Sequence, residues 1–147
     1  FPAKADYDFG LSRGKLKGML KGYIDLTFEH SGKFYVADYK SNFLGDDFTD
    51  YQAQFLDEAM RDHDYYLQAL FYTLALHRYL SARIANYSYQ QHMGGACYLF
   101  VRGMHPAHTG SGVLHFLPEE KLVVALDALF NGVILKDAKE SEEQDNA

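Results

Sequence analysis

The clearest pattern of apolar and polar positions is a pair of segments, residues 21–30 and 33–42, rich in aromatic and β-branched residues. Ser31-Gly32 lies between them, and such a dipeptide favours a tight turn. A two-residue loop makes the residues on either side of it face each other, and the remaining pairs follow by counting outwards. The pattern therefore predicts a β-hairpin in which Asp25 and Asp38 lie directly opposite each other.

Helical spacing of apolar residues follows the hairpin. A first helix is predicted over residues 50–60, capped by Thr49 or Asp50. Leucines and aromatic residues then recur three and four positions apart over residues 63–84, which predicts a longer helix with a broad apolar face. A last helix is predicted over residues 121–135, where Glu119 and Glu120 place negative charge in its first turn.

Two more strands are predicted between the second and third helices. Residues 96–102 form a continuous apolar run after the chain break at Gly94-Gly95, as expected of a strand covered on both faces. A loop over 103–112 and a short strand over 113–116 follow. The element order predicts an α/β sandwich built on a mixed sheet. Because no glycine-rich phosphate loop is present, ATP or NAD binding is not expected.

Composition fits one folded domain. The chain has 147 residues, of which 48% are hydrophobic, enough to bury a core. No apolar run approaches the roughly 18 residues that span a bilayer, and no basic-then-apolar leader opens the sequence. We therefore expect a soluble, cytoplasmic protein without membrane contact. Since the sequence begins without methionine, we also expect it to be a fragment of a larger polypeptide or a processed form.

The charge distribution is uneven. The net charge of −6 argues against nucleic-acid binding, but residues 137–147 hold five acids and one lysine and are predicted to form a disordered, solvated tail. Positive charge is concentrated in the first forty residues, and we expect it to gather near the hairpin and hold phosphates. The basic residues there are Lys4, Arg13, Lys15, Lys17, Lys21, Lys33 and Lys40. The single cysteine, Cys97, lies in an apolar run and is predicted to be a buried, unreactive thiol.

The facing aspartates carry the candidate chemistry. Two carboxylates opposite each other on paired strands repel, and a divalent cation between them removes that penalty. Lys40 projects from the same strand face as Asp38, and two acids with an ammonium group beside them suit phosphodiester cleavage. A lone aspartate in a strand is more often a surface residue, and Asp-x-Lys is common by chance. The facing acid is what favours a metal site.

Other polar residues have weaker patterns. Gln68 and Tyr72 share one face of the long helix, one turn apart, where they could hold nucleic acid; core packing of Tyr72 and exposure of Gln68 are the simpler alternative. Asp46-Asp47 fits a solvated turn better than a metal site. His105 and His108 match no closed zinc pattern, so surface loop residues are the better interpretation.

Three segments together resemble a known family. They are Gly22-Tyr-Ile-Asp25-Leu, Val36-Ala-Asp38-Tyr-Lys40-Ser-Asn42 and Leu67-Gln68-Ala-Leu-Phe-Tyr72-Thr-Leu-Ala-Leu-His-Arg78. Their combination resembles the nuclease domain of the RecB subunit of RecBCD, the exodeoxyribonuclease V beta chain, in the PD-(D/E)xK superfamily. The resemblance implies a restriction-endonuclease-like mixed sheet flanked by helices. Asp25, Asp38 and Lys40 then match the catalytic motif, with Ile24 where the superfamily name has proline, and Gln68 and Tyr72 match the family's Gln-x-x-x-Tyr element.

The resemblance also implies a function and partners. Residues 1–136 would be a nuclease domain from the C-terminal part of a larger chain, a Mg²⁺-dependent exodeoxyribonuclease acting in double-strand break repair and recombination. Asp25, Asp38 and the backbone carbonyl of Tyr39 would hold one or two Mg²⁺ ions. DNA, RecC, RecD and RecA are the implied partners. RecA docking without independent nuclease activity is the alternative, and cleavage of RNA or another phosphoester is a third.

One element of the family pattern has no counterpart here. The family uses a histidine metal ligand on a helix upstream of the first acid, and no histidine precedes His30 in this sequence. We therefore expect this segment to lack that ligand and the N-terminal helix that carries it.

Overall fold

A computed structural model of the chain describes residues 5–6 and 23–145, with side chains over residues 24–132. Within these ranges, six strands run in chain order as β1 (Ala5–Asp6), β2 (Tyr23–Ile24), β3 (Leu26–His30), β4 (Lys33–Lys40), β5 (Met93–Phe100) and β6 (Val113–Phe116). The α-helices are α1 (Ala53–Asp62), α2 (Tyr65–Arg83), α3 (Tyr89–His92) and α4 (Glu120–Asp145), and short 3-10 helices cover Phe48–Tyr51 and Val101–Gly103. The predicted absence of an N-terminal helix concerns residues outside this range.

The predicted hairpin and its register are confirmed. β3 and β4 are antiparallel, with His30 facing Lys33 at the loop and Leu26 facing Ala37 at the far end. Ser31 and Gly32 have φ angles of 51° and 79°, as two-residue hairpin loops with the twist of the strands require.

The prediction of an unbroken first arm is wrong. The chain bends at Asp25, between β2 and β3, and Ile24 in β2 pairs with Ala5 in a separate two-stranded sheet. The ladder between β3 and β4 therefore stops one pair before Asp25 and Asp38. A side-chain contact replaces the missing pair, since Tyr39 N–H donates to Asp25 Oδ2.

The main sheet has four strands in the order β3-β4-β5-β6 and is mixed. β4 and β5 are parallel, whereas β3 and β6 are antiparallel to their neighbours. β5 is thus an inner strand, as its apolar run predicts. The prediction that Gly94-Gly95 breaks the chain is wrong: both lie inside β5, where Gly95 has φ 91° and the pairing shifts opposite Phe34 and Tyr35. The glycine pair thus makes a bulge, not a strand end.

Helix α2 crosses from the end of α1 back to the start of β5 and packs on one sheet face. Its buried side chains, including Leu74 and Leu76, join a core with Val36, Tyr98 and other strand residues. The predicted helix over 63–84 is confirmed within two residues. The predicted helix over 50–60 is instead a 3-10 turn that ends at Tyr51, followed by extended Gln52 and by α1, which ends at Asp62. Gln52 is the N-cap residue of α1, so the prediction of a cap at Thr49 or Asp50 is wrong.

Helix α4 is longer than predicted. It begins at Glu120 and ends at Asp145, ten residues beyond the predicted end near Leu135. Residues 137–145 are mainly Glu, Lys, Gln and Ala, which favour helix, and no glycine or proline stops them. The helix therefore runs into the acidic segment, while the domain boundary after residue 136 stays a prediction. A mixed sheet flanked by helices confirms the predicted fold class.

No helix in the part of the chain that the structure describes is both long and apolar enough to cross a membrane.

Candidate active site

Most of the predicted site residues meet at the end of β4. Asp38, Tyr39 and Lys40 are its last three residues, and Asp25 lies at the bend that precedes β3. The side chain of Gln68 reaches them from α2, one turn before Tyr72. The fold therefore brings together residues that lie up to 47 positions apart in the sequence.

The Asp25 side chain contacts the backbone of β4. Asp25 Oδ2 accepts a hydrogen bond from Tyr39 N–H at 3.0 Å, while the Asp25 side chain stays exposed. In an antiparallel ladder, the N–H and C=O of one residue point to the same side of the strand. The Tyr39 carbonyl therefore points to the side on which Asp25 lies, as the prediction that it joins the two acids requires.

Asp38 and Lys40 form a largely buried ion pair. Asp38 Oδ2 lies 2.5 Å from Lys40 Nζ, and the side chains are 6% and 13% exposed. Burial raises the pKa of Asp38 above its ordinary value, Lys40 opposes the rise, and Asp25 adds to it by repulsion. The two carboxylates thus interact electrostatically, as the hairpin prediction expects, although Asp25 lies outside the strand.

Gln68 connects the helix to the strands. Its Oε1 accepts hydrogen bonds from Lys40 Nζ at 3.0 Å and from the Tyr98 hydroxyl at 2.9 Å. Its Nε2 donates to the Tyr72 hydroxyl at 3.1 Å. Burial, followed by the charges of Asp38 and Asp25, raises the pKa of Tyr72 to about 12. Gln68 is therefore not simply exposed, and Tyr72 is both buried and directed at the site.

Two aromatic residues at the site were not predicted from the sequence. Tyr98 on β5 lies beside Asp38 in the parallel register and is fully buried, and burial raises the pKa of its hydroxyl. The Tyr65 ring lies 3.9 Å below Lys40 Nζ, a cation–π distance, and its hydroxyl donates to Asn42 Oδ1. Only the pairing of β4 with β5 identifies Tyr98, and nothing in the sequence shows that pairing.

The donor atoms suit a hard divalent cation. Apart from its ion pair with Lys40, Asp38 Oδ2 is buried and has no hydrogen-bond partner among the described residues. Asp25 has a second oxygen besides the one that binds Tyr39 N–H, and carboxylate and carbonyl oxygens are the ligands that Mg²⁺ prefers. No group of three or more His, Cys, Asp or Glu side chains within the described ranges could hold a metal ion, so these residues would form an open, two-carboxylate site.

Other predicted features lie elsewhere. Lys33 is at the opposite end of β4 from Lys40, where its Nζ donates to the Gln90 carbonyl. The prediction that Lys33 adds positive charge near the site is therefore wrong. Lys4, Arg13, Lys15, Lys17 and Lys21 lie outside the described residues. Cys97 is half-buried, and burial raises the pKa of its thiol, which disfavours the nucleophilic thiolate. Asp46, Asp47, His105 and His108 are exposed, as expected of surface loop residues.

The fold and the site together are consistent with the restriction-endonuclease-like class. They combine a mixed sheet, its flanking helices and an acid–acid–lysine group at the end of an inner strand.

No family model matches the chain. Over 124 residues, or 84% of its length, the chain is 48% identical to the RecBCD enzyme subunit RecB of Escherichia coli K12, of which this covers 10%.

Two further RecB subunits match in the same way. The Haemophilus influenzae protein is 46% identical over 79% of this chain and 10% of its own length. The Mycobacterium tuberculosis protein is 45% identical over 83% of this chain and 12% of its own length. The chain is therefore related to a region of RecB subunits, and it spans about a tenth of the length of these curated relatives.

Proposed function

We propose that the chain is a metal-dependent nuclease domain that hydrolyses DNA phosphodiester bonds, in the PD-(D/E)xK superfamily. The observation that carries the proposal is the buried Asp38–Lys40 pair, beside a second carboxylate that contacts the same strand end. The similarity to RecB subunits supports the same conclusion. On that basis the longer protein would act with RecC and RecD in a RecBCD-type exodeoxyribonuclease, in double-strand break repair and recombination in the cytoplasm.

Asp25, Asp38 and the Tyr39 carbonyl would hold one or two Mg²⁺ ions. A bound Mg²⁺ would supply an acidified water and stabilise negative charge on the scissile phosphate.

Lys40 acts on the phosphate. Its ammonium group has three N–H donors, and the contacts with Asp38 and Gln68 use two of them. The remaining donor can bind a phosphate oxygen and neutralise the charge that develops during cleavage. Gln68, Tyr98 and the Tyr65 ring fix the ammonium group in place, so it needs little reorganisation when the phosphate reacts. Gln68 also binds the Tyr72 hydroxyl on the same face of α2. The DNA strand would pass along this face, beside Lys40.

The test is Mg²⁺- or Mn²⁺-dependent cleavage of labelled DNA by the wild-type chain and by the variant Asp38→Ala. We expect the variant to fold, as shown by circular dichroism, and to lose cleavage. Asp46→Ala is the matched control, since Asp46 is an exposed loop acid beyond the same strand. Cleavage retained by folded Asp38→Ala would refute the assignment.

A second candidate is protein docking, with RecA as the implied partner. Helix α4 exposes Leu122 and Leu129, which are seven residues apart and therefore on one helix face, and Leu129 is 62% exposed. Exposed apolar side chains on one face favour a protein contact. Capture of RecA by the double variant Asp25→Ala/Asp38→Ala would support docking independently of cleavage. Capture that persists after Leu129→Glu would exclude this helix as the contact.

A further inference from the structure

Three aromatic side chains form a cluster beyond the candidate active site. Phe48, at the start of the first 3-10 helix, stacks on His108 with ring centroids 4.2 Å apart and an interplanar angle of 26°. His105 lies 5.4 Å from the Phe48 ring and 5.6 Å from His108. All three side chains are exposed, so the cluster presents aromatic surface to solvent. We call these residues the aromatic cluster.

Two open cavities flank His108. One of about 710 Å³ lies between Phe48 and the His108–Ser111 loop, and its wall includes Thr49 and Gln52. The other, of about 440 Å³, lies on the His105 side of the same loop. Ser111 lines both, and its hydroxyl oxygen is buried without a hydrogen-bond partner among the described residues.

The core holds the aromatic cluster in place. The Tyr51 carbonyl, in the same 3-10 helix as Phe48, accepts a hydrogen bond from Gly112 N–H at 3.2 Å. The buried Tyr51 ring packs against Gly103, where an added Cβ would overlap the ring. The Phe48 segment and the loop with both histidines are thus fixed to each other, and the stacked surface is preformed.

The aromatic cluster lies at the same end of the sheet as Lys40. Lys40 is level with Phe100 in the parallel register, and Phe100 N–H donates to the Gly112 carbonyl at 2.7 Å. Gly112 is therefore two strand spacings, about 10 Å, from the Lys40 backbone.

Arg102 places positive charge between Lys40 and the aromatic cluster. Arg102 Nε donates to the Ser41 carbonyl at 2.7 Å, and the guanidinium is 6.0 Å from the exposed Phe43 ring. No carboxylate of the described residues lies within ion-pair distance of exposed Arg102. Proteins that hold single-stranded nucleic acid without sequence preference combine positive charge along the strand with aromatic rings that stack on the bases. Arg102 and the aromatic cluster offer this combination.

We propose that the aromatic cluster stacks on an unpaired base of the DNA strand, to one side of the scissile phosphate. This inference rests on the proposed nuclease function and adds how the strand is held. The base would stack on the Phe48–His108 pair, which needs both rings, while Arg102 binds a phosphate in between. A base suits the cavity better than a phosphate, since Asp47 is part of the same wall.

The test is binding of a fluorescein-labelled single-stranded oligonucleotide, measured by anisotropy with the whole chain in EDTA, where cleavage does not interfere. Loss of one base stack weakens binding roughly fivefold to hundredfold, and that is the effect expected of Phe48→Ala. Phe48→Tyr keeps the ring and should restore binding. Phe55→Ala is the matched control, because Phe55 on α1 has the same 38% exposure and lines neither cavity.

A second readout identifies the stack directly. With 2-aminopurine placed at successive positions, wild type should quench one of them, and Phe48→Ala and His108→Ala should each abolish that quenching. The inference is overturned if wild type binds no single strand, if folded Phe48→Ala binds like Phe55→Ala, or if no position is quenched. Because these assays need no metal, failure of the wild type to cleave DNA would refute the nuclease proposal while leaving this result standing.

Discussion

Lys40 on β4 and Gln68 on α2 are joined by a hydrogen bond of 3.0 Å, from Nζ to Oε1. The same amide oxygen accepts the hydroxyl of buried Tyr98. One helix side chain thus sets the position of the ammonium group that would meet the substrate, and it does so from outside the Asp-x-Lys motif. Activity of the motif is therefore expected to depend on how α2 packs.

Replacing Gln68 by leucine tests this dependence. The Tyr98 hydroxyl would lose its acceptor in a buried position, which costs about 1–3 kcal/mol of the free energy of unfolding. DNA cleavage should fall as well, because Lys40 loses a contact that orients it. Urea unfolding and single-turnover cleavage are the measurements. Gln54→Leu, at an exposed position on α1, should change stability by no more than about 0.5 kcal/mol. Equal behaviour of the two variants would contradict the positioning role.

The raised pKa of Asp38 predicts a pH-dependent stability. Because its folded-state pKa lies above the ordinary 3.8, the folded chain binds the proton more tightly than the unfolded chain. This contribution is fully present below the ordinary pKa and is lost as pH rises through the folded-state value. Urea midpoints measured in EDTA from about pH 4 to about pH 8 should therefore fall more for wild type than for Asp38→Asn. Parallel curves for the two proteins would show that Asp38 is not perturbed.

Arg102 is expected to contribute one phosphate contact. Each such contact to a single strand releases counterions and adds about −0.7 to the slope of log K against log salt concentration. Arg102→Gln should therefore make that slope shallower by about 0.7, as measured by anisotropy at several salt concentrations. Arg83→Gln is the control, since Arg83 is exposed at the far end of α2, stacked on Tyr79. An unchanged slope for Arg102→Gln would remove it from the DNA path.

The domain boundary after residue 136 can be tested by truncation. Residues 137–147 contain no aromatic or large aliphatic side chain, so they add little apolar burial even where α4 continues through them. The chain 1–136 should unfold cooperatively, with a melting temperature within about 4 °C of the full chain, which corresponds to about 1 kcal/mol at this size. A non-cooperative melt would place the end of α4 within the folded unit.

The parts of the fold and the site that the sequence predicted correctly depend on local rules. Ser31-Gly32 specifies a two-residue turn, and the turn fixes the register of the whole hairpin. Helical periodicity predicted both ends of α2 to within two residues, and the same spacing predicted that Gln68 and Tyr72 share one helix face. Two errors have tertiary causes, since the bend at Asp25 accompanies the pairing of Ile24 with Ala5, and the bulge at Gly95 accompanies the pairing of β5 with both neighbours. The wrong end of α4 has a local cause, the helix-favouring residues that continue past the predicted end.

The sequence by itself determined the order of the four main-sheet strands and the three long helices, the hairpin register, and the placement of Asp38 and Lys40 on one strand face. Turn chemistry, helical spacing and strand alternation act over a few residues, and so they can be recognised without the fold. Only the tertiary structure decided that Tyr98 and Tyr65 surround Lys40, that Gln68 binds its ammonium group, and that Phe48 stacks on His108. Those contacts join residues from different elements, and their free energy appears only when the sheet and helices pack and exclude water.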